Sequence, residues 1–215
     1  MAQNLSEQEI QRREKLDRLI ALGIEPYPAA EFKVDCSAED ILENYDSNKT
    51  LYKTVSFAGR IMRRRMQGKA AFVEMQDASA KIQVYFNRDE ICPGEDKTMY
   101  NEVFKKLIDT GDIVGVKGYV FTTQVGEITI HANEFVLLTK SVKPLPQPKV
   151  DAEGNEFDTF TDPEQRYRQR YVDLTVNPHV RETFIQRSQL VSTMRNFLGS
   201  KGYLEVETPI LQPIY

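Results

Sequence analysis

The chain is short of the residues that build metal centres and covalent frameworks: its 215 residues include two cysteines and two histidines. Cys36 and Cys92 lie far apart, with no Cys-x-x-Cys and no Cys/His cluster, which argues against a zinc site and against a disulfide framework. A reducing cytoplasm fits that pattern. His131 and His179 have no Ser or Cys partner that spacing identifies, so each reads as a structural or surface histidine. No apolar run reaches the roughly 18 residues of a membrane helix, and no basic-then-apolar leader opens the chain. Neither a membrane span nor a secretory signal is expected. A positive balance is missing as well, since the formal net charge is -4. What remains is ordinary: 40% hydrophobic residues, enough for a core, and 28% charged. At roughly 150 residues per domain, the length predicts one complete domain and part of another.

Against that acidic background one stretch stands out, Ala58 to Phe86 (AGRIMRRRMQGKAAFVEMQDASAKIQVYF). From Ala58 through Ala71 it carries Arg60, Arg63, Arg64, Arg65 and Lys69 and no acid. A local cationic strip on an acidic chain points to a specific anionic partner. Phe72, Tyr85 and Phe86 accompany it in alternating runs, and cations beside aromatics on a sheet are what a single-stranded nucleic acid requires. A solvated basic edge strand with ordinary core aromatics is the equal alternative on this window alone.

The flanking elements decide between the two. Leu5-Ser-Glu-Gln-Glu-Ile10 reads as a capped helix start, with Ser6 as cap, Glu9 closing the box and Leu5 clasping Ile10. That helix is expected to run to about Leu22, stopped by Gly23, Pro26 and Pro28. Its apolar stripe is thin (Leu16, Leu19, Ile20) and its other face is basic (Arg12, Arg13, Lys15, Arg18), the pattern of a helix laid on a neighbouring domain. A short helix follows from Ala38 to about Tyr45, with Ser37 as cap and Asp40 closing the box. From Lys53 the period becomes two, predicting strands at 53–65, 69–77 and 80–87. A loop with Pro93-Gly94, a helix over 99–108, and strands at 113–121 and 128–138 joined by a hairpin around Gly126 complete the set. Three strands, a helix and two strands, with Gly59 letting the first strand bend, is the order of the OB-fold, a five-stranded barrel whose open face binds oligonucleotides. The class is mainly β with helices. Strands one to three form the binding face of that fold, which puts Arg65, Phe72 and Gln83 where ligand is taken. Phe57, Val73 and Val84 read as core. Alternation sends one of Tyr85 and Phe86 inward and the other outward, without saying which.

Lys143-Pro-Leu-Pro-Gln-Pro148 is a stiff extended connector. Beyond it Asp162-Pro163 opens a helix with Gln165 completing the cap, carrying Arg166, Arg168 and Arg170 around Tyr167 and Tyr171. Asn177-Pro178 opens a longer helix to about Lys201, with Val180, Phe184, Val191, Met194 and Leu198 on one stripe. Its roughly 24 residues span about 36 Å, the breadth of a domain, so it is expected to pack on a large neighbour or partner subunit. Gly202 stops it, and Tyr203 to Pro209 is expected to form a strand. The domains are thus an N-terminal helical extension (1–52), the barrel (53–140), a linker (141–161) and the start of a second domain (162–215).

This order of features, together with Arg12-Arg-Glu-Lys-Leu16 and Gly23-Ile24, Ala58-Gly-Arg-Ile61 through Gly68-Lys-Ala70, Arg166-Tyr-Arg-Gln-Arg-Tyr-Val-Asp-Leu174 and Gly202-Tyr-Leu-Glu-Val-Glu-Thr-Pro209, resembles the bacterial class II lysyl-tRNA synthetases over nearly the whole length. The last segment is similar to class II motif 1, where a long helix and strand build the dimer interface, and implies interface roles for Tyr203, Glu205 and Pro209. On this likeness the second domain is the truncated start, long helix plus strand, of a class II α+β catalytic domain. The resemblance further implies that Phe72 stacks on an anticodon base and that Gln83 and Glu134 bond the central uridine. It implies that Arg65 contacts the anticodon loop, with backbone contacts open to Arg60, Arg63, Arg64 and Lys69. Unpaired loop bases can be stacked and read on their Watson–Crick edges, which agrees with those residue types.

The resemblance implies a cytoplasmic, homodimeric parent that uses ATP and Mg2+ to activate lysine and then charges tRNA(Lys). The chain stops at Tyr215, ahead of the motif 2 and motif 3 arginines. No catalytic residue, metal or bound cofactor is therefore expected within these 215 residues, and the activity is expected of the longer parent. An aspartate- or asparagine-type synthetase and a non-enzymatic single-strand-binding OB module are the alternatives.

Overall fold

The computed structural model describes residues 5–146, 149–150, 156–157 and 159–208. The chain divides into two compact units, Met1–Pro144 and Leu145–Tyr215.

In the first unit, helix α1 (Glu7–Ala21) begins as its sequence requires: Ser6 Oγ accepts from Glu9 N and Glu9 reaches back to Ser6 N. Leu19 is fully buried on its inner face. Helix α2 (Ala38–Asn44) is capped by Ser37, but the expected reciprocal box does not close. Asp40 instead accepts from Tyr52 Oη at 2.9 Å, because that hydroxyl lies against the barrel and needs a partner.

Five strands, β1 (Val55–Gln67), β2 (Ala70–Gln76), β3 (Lys81–Asn87), β4 (Ile113–Thr122) and β5 (Ile128–Thr139), close a barrel in the order β1-β2-β3-β5-β4. All neighbours are antiparallel except β3 and β5, whose parallel pairing of Gln83–Phe86 with Thr129–Ala132 shuts the barrel. β1 serves both sides, pairing with β4 over Val55–Arg60 and with β2 over Arg60–Gln67. Two residues beyond Gly59, where the sequence predicts a bend, a bulge lies between Ile61 and Arg63, where β1 advances two residues for one of β2. That bulge inverts the alternation: Phe57, Gly59 and Ile61 are buried before it, while Arg63 and Arg65 are exposed after it.

Phe57, Ile61, Val73, Met75, Val84 and Phe86 fill the interior, as alternation requires of their strands. Phe86 is the inward member of its pair, and Tyr85 faces out. A helix over Met99–Leu107 plugs one end, stacking Phe104 on Phe86 with ring centroids 4.4 Å apart. It is wound wide, ending with the five-residue step from Ile108 N to Val103 O. Between β3 and this helix lies a four-residue helix, α3 (Arg88–Ile91), within the stretch expected to be loop.

A buried ionic cluster fastens α1 to the barrel. Lys140 Nζ, with no exposed side-chain surface, lies 2.8 Å from Asp112 and 2.7 Å from Asp109. Burial raises the Asp112 carboxyl above the usual carboxylate range. Arg12 donates to the carbonyls of Thr110 and Ser141, and Lys15 pairs with Asp109.

In the second unit the single expected helix is two, α4 (Pro163–Arg168) and α5 (Arg170–Val176), followed by α6 (Pro178–Ser200). The buried Asp173 explains the break: its carboxylate accepts from Arg166, Arg170 and Asn177, tying all three helices at one point. The expected strand over 203–209 does not form across its described residues 203–208, which join no ladder. A strand needs a neighbour to fill its hydrogen bonds, and no described strand runs beside it. Two short strands, β6 (Lys149–Val150) and β7 (Glu156–Phe157), pair within the expected linker.

Candidate nucleic-acid interface

The outer face of the barrel is organised by register. Arg65 on β1 opposes Phe72 on β2, Phe72 opposes Tyr85 on β3, Tyr85 opposes His131 on β5, and His131 opposes Tyr119 on β4. One row therefore crosses all five strands as cation, ring, ring, imidazole, ring. The next row, Arg63, Glu74, Gln83, Thr129 and Phe121, is built the same way. Strand alternation alone places both rows on one side, since each residue is two from its neighbour along the strand.

Where these rows meet β1–β3, the β4–β5 hairpin leans over them and leaves a cleft of about 410 Å3. Its walls are Arg63, Arg65, Phe72, Glu74, Gln83, Thr123, Val125 and Glu127. Arg63 and Arg65 are exposed and form no ion pair among the described residues. Phe72 is half-buried, with its ring 5.0 Å from that of Tyr85. Gln83 is held by donating Nε2 to Thr129 Oγ1 at 3.0 Å. Glu74 pairs with Lys81 at 3.1 Å. A ring, a fixed amide, acceptor carboxylates and two available guanidinium groups can together stack a base, read its edge and hold its phosphate.

The structure sorts the expected residues. It brings Arg65, Phe72 and Gln83 together, with Arg63 beside them. Lys69 is exposed at the tight β1–β2 turn, where Gly68 takes φ +60°. Arg64 is turned the other way, contrary to expectation. The bulge puts it on the side of the buried Val73, where it donates to the carbonyls of Phe104 and Ile108 and lies over the Phe104 ring. It caps the wide helix and is not free for RNA. Arg60 likewise donates to the Gly111 carbonyl at 2.7 Å, committed to the barrel's own loop. Glu134 is not in the cleft: Gln83 opposes Thr129 on β5, five residues away, about 17 Å along a strand. It is exposed and pairs with Lys117 at 3.4 Å. Glu127, missed from sequence, occupies the cleft wall instead. The signal was the hairpin around Gly126, whose Thr123, Val125 and Glu127 line the cleft. Tyr203 and Glu205 lie beside α6, with Glu205 bonded to Arg195 at 2.9 Å, and Pro209 falls outside the described residues.

Among the described residues no cluster of three or more His, Cys, Asp or Glu is placed to hold a metal, and no helix is long and apolar enough to cross a membrane.

Comparison with known proteins agrees with this geometry. Residues 55–138 match the OB-fold nucleic acid binding domain of the tRNA anticodon type, and residues 162–215 match the class II (D, K and N) tRNA synthetases. The lysine–tRNA ligase of Christiangramia forsetii is 56% identical over 212 residues, covering 99% of this chain and 37% of that protein. That of Porphyromonas gingivalis strain W83 is 54% identical over 211 residues, covering 98% and 36%. That of Azobacteroides pseudotrichonymphae is 48% identical over 210 residues, covering 98% and 42%. The chain thus spans little more than a third of the length of the first two, with the OB domain ahead of the class II segment. On fold, face and sequence alike, the chain is similar to part of the lysine–tRNA ligases, with an OB-fold nucleic acid binding domain ahead of a segment that matches the class II (D, K and N) tRNA synthetases.

Proposed function

We propose that the chain is the tRNA-binding portion of a lysine–tRNA ligase and that its barrel reads the anticodon of tRNA(Lys). The observation that carries the proposal is the cleft, in which a stacking ring, a fixed amide and unpaired cations converge on one face of an OB barrel. Phe72 stacks one base of the triplet. Gln83, held by Thr129, offers its remaining amide polarity to a uridine edge, and Glu127 supplies the anionic acceptor for a base N–H, the role that the resemblance implies for Glu134. Arg63 and Arg65 hold phosphates and supply affinity, while the ring and the acceptors supply choice.

The whole protein would activate lysine with ATP and Mg2+ and transfer it to tRNA in the cytoplasm. It would do so as a homodimer joined through α6 and the segment from Tyr203 through Glu205 to Pro209. An apolar face on α6 supports the dimer: Leu190, Met194 and Phe197 are each more than half exposed. A hollow of about 390 Å3 lies between α6 and Tyr203–Glu205. Domain limits at 52, 140 and 161 accompany this reading.

The test is binding of two anticodon stem-loops that differ only in the triplet. UUU is expected to bind more tightly than GUC; equal affinities would reject the lysine assignment.

A further inference from the structure

Beyond the cleft, the row of rings continues. From Phe72 the centroids step 5.0 Å to Tyr85, 5.0 Å to His131 and 4.7 Å to Tyr119, the last pair stacked within 14°. His131 is the buried member of this row, its Nδ1 3.3 Å from Glu90 of α3. Tyr119 differs from the rings before it. It has His131 on one side, but the β1–β4 ladder begins at Val55 and Gly118, one residue short of it, so no strand pairs with it on the other. The residue stays 38% exposed. The next outward pair along β4 and β5 is Lys117 with Glu134, both well exposed and 3.4 Å apart.

An aromatic platform with an open side, bordered by a cation and an anionic acceptor, has the composition of a nucleotide subsite. We propose that Tyr119, backed by His131, is a second stacking position. It takes an unpaired nucleotide that flanks the triplet in the same RNA, with Lys117 at that nucleotide's phosphate and Glu134 accepting from its base. The occupant is argued from continuity, because the ring row runs unbroken from the cleft wall to Tyr119, about 14 Å across three strand spacings. The inference rests on the anticodon reading above. It adds a reach that the cleft residues alone do not give, and it assigns Glu134 a place consistent with its position on the barrel.

The experiment uses the 215-residue chain, a UUU trinucleotide and a UUU anticodon stem-loop, followed by fluorescence anisotropy. Tyr119→Ala is expected to weaken the stem-loop by on the order of tenfold and to leave the trinucleotide unchanged. Phe72→Ala should weaken both. Lys117→Ala should lower the salt slope of stem-loop binding by about one unit. Stem-loop affinity unaltered in Tyr119→Ala overturns the subsite, and so does equal weakening of both ligands. Tyr119→Leu, which keeps the apolar packing against His131, guards against misfolding: wild-type affinity in that variant also overturns it. If Phe72→Ala changes neither ligand, the cleft reading fails and the subsite argued from continuity with it falls too, an outcome distinct from a loss in Phe72→Ala with none in Tyr119→Ala.

Discussion

Lys140 sets the scale of what a single side chain holds. It is fully buried, shared between Asp109 and Asp112, and donates a third bond to the Leu107 carbonyl. Removing one member of a buried pair leaves a charge in low dielectric, which is strongly destabilising. Lys140→Met is expected to cost about 3 kcal/mol, the low end of that range, because Asp112 keeps the backbone N–H groups of Asp109 and Ser141. The loss should be read as a lowered urea midpoint at pH 7. The sign with pH follows from Asp112, whose carboxyl burial already raises. A raised folded-state value means the penalty is present at high pH and fades as protonation neutralises the group, so the variant's deficit should shrink from pH 7 towards pH 5. None of this was legible in the sequence, where Lys140, Asp109 and Asp112 are three charges in loops. Arg64 was misread for the same reason: residue type says cation, and only the backbone phase says which side it faces.

Whole elements were easier to read than their partners. The capping box at Ser6, the five strands and the long α6 follow from local chemistry, because caps and alternation are written in consecutive residues. The division of α4 from α5 and the missing strand at 203–208 were not legible, since the first depends on Asp173 being buried and the second on a sheet neighbour. Among the strands, β4 carries the tightest constraint. A Cβ at Gly118 would stand 1.8 Å from the His131 carbonyl oxygen, beside the irregularity in its ladder with β5. Backbone cannot yield as a side-chain tip does, so Gly118→Ala is expected to destabilise by about 3 kcal/mol or more. Gly126→Ala, with φ +89° but nothing within 4 Å of the new carbon, should cost only about 1 kcal/mol. Thermal melts of the two variants compare them directly, and equal melting temperatures would refute the close-approach account.

At the scale of the molecule, the first unit has a closed core and the second leaves much of its apolar surface uncovered. Tyr203, Leu204 and Val206 are each at least two-thirds exposed, as a segment awaiting a partner would be. In a longer protein carrying the complete class II domain, the proposed homodimer predicts that Met194→Glu sediments as a monomer where the unaltered protein sediments as a dimer. A persistent dimer would remove α6 from the interface.

The bulge in β1 also works as a frame shift in three dimensions. A regular strand with the same letters would send Arg63 and Arg65 into the barrel and Arg64 outward, because side chains alternate with a period of two. The one additional residue between Ile61 and Glu74's partner Arg63 reverses that assignment for everything after it. The display of the two cleft arginines is therefore encoded upstream of both, by strand phase and not by their own identity. A lineage could gain or lose this surface by an insertion or deletion near position 62 while every contact residue stayed the same.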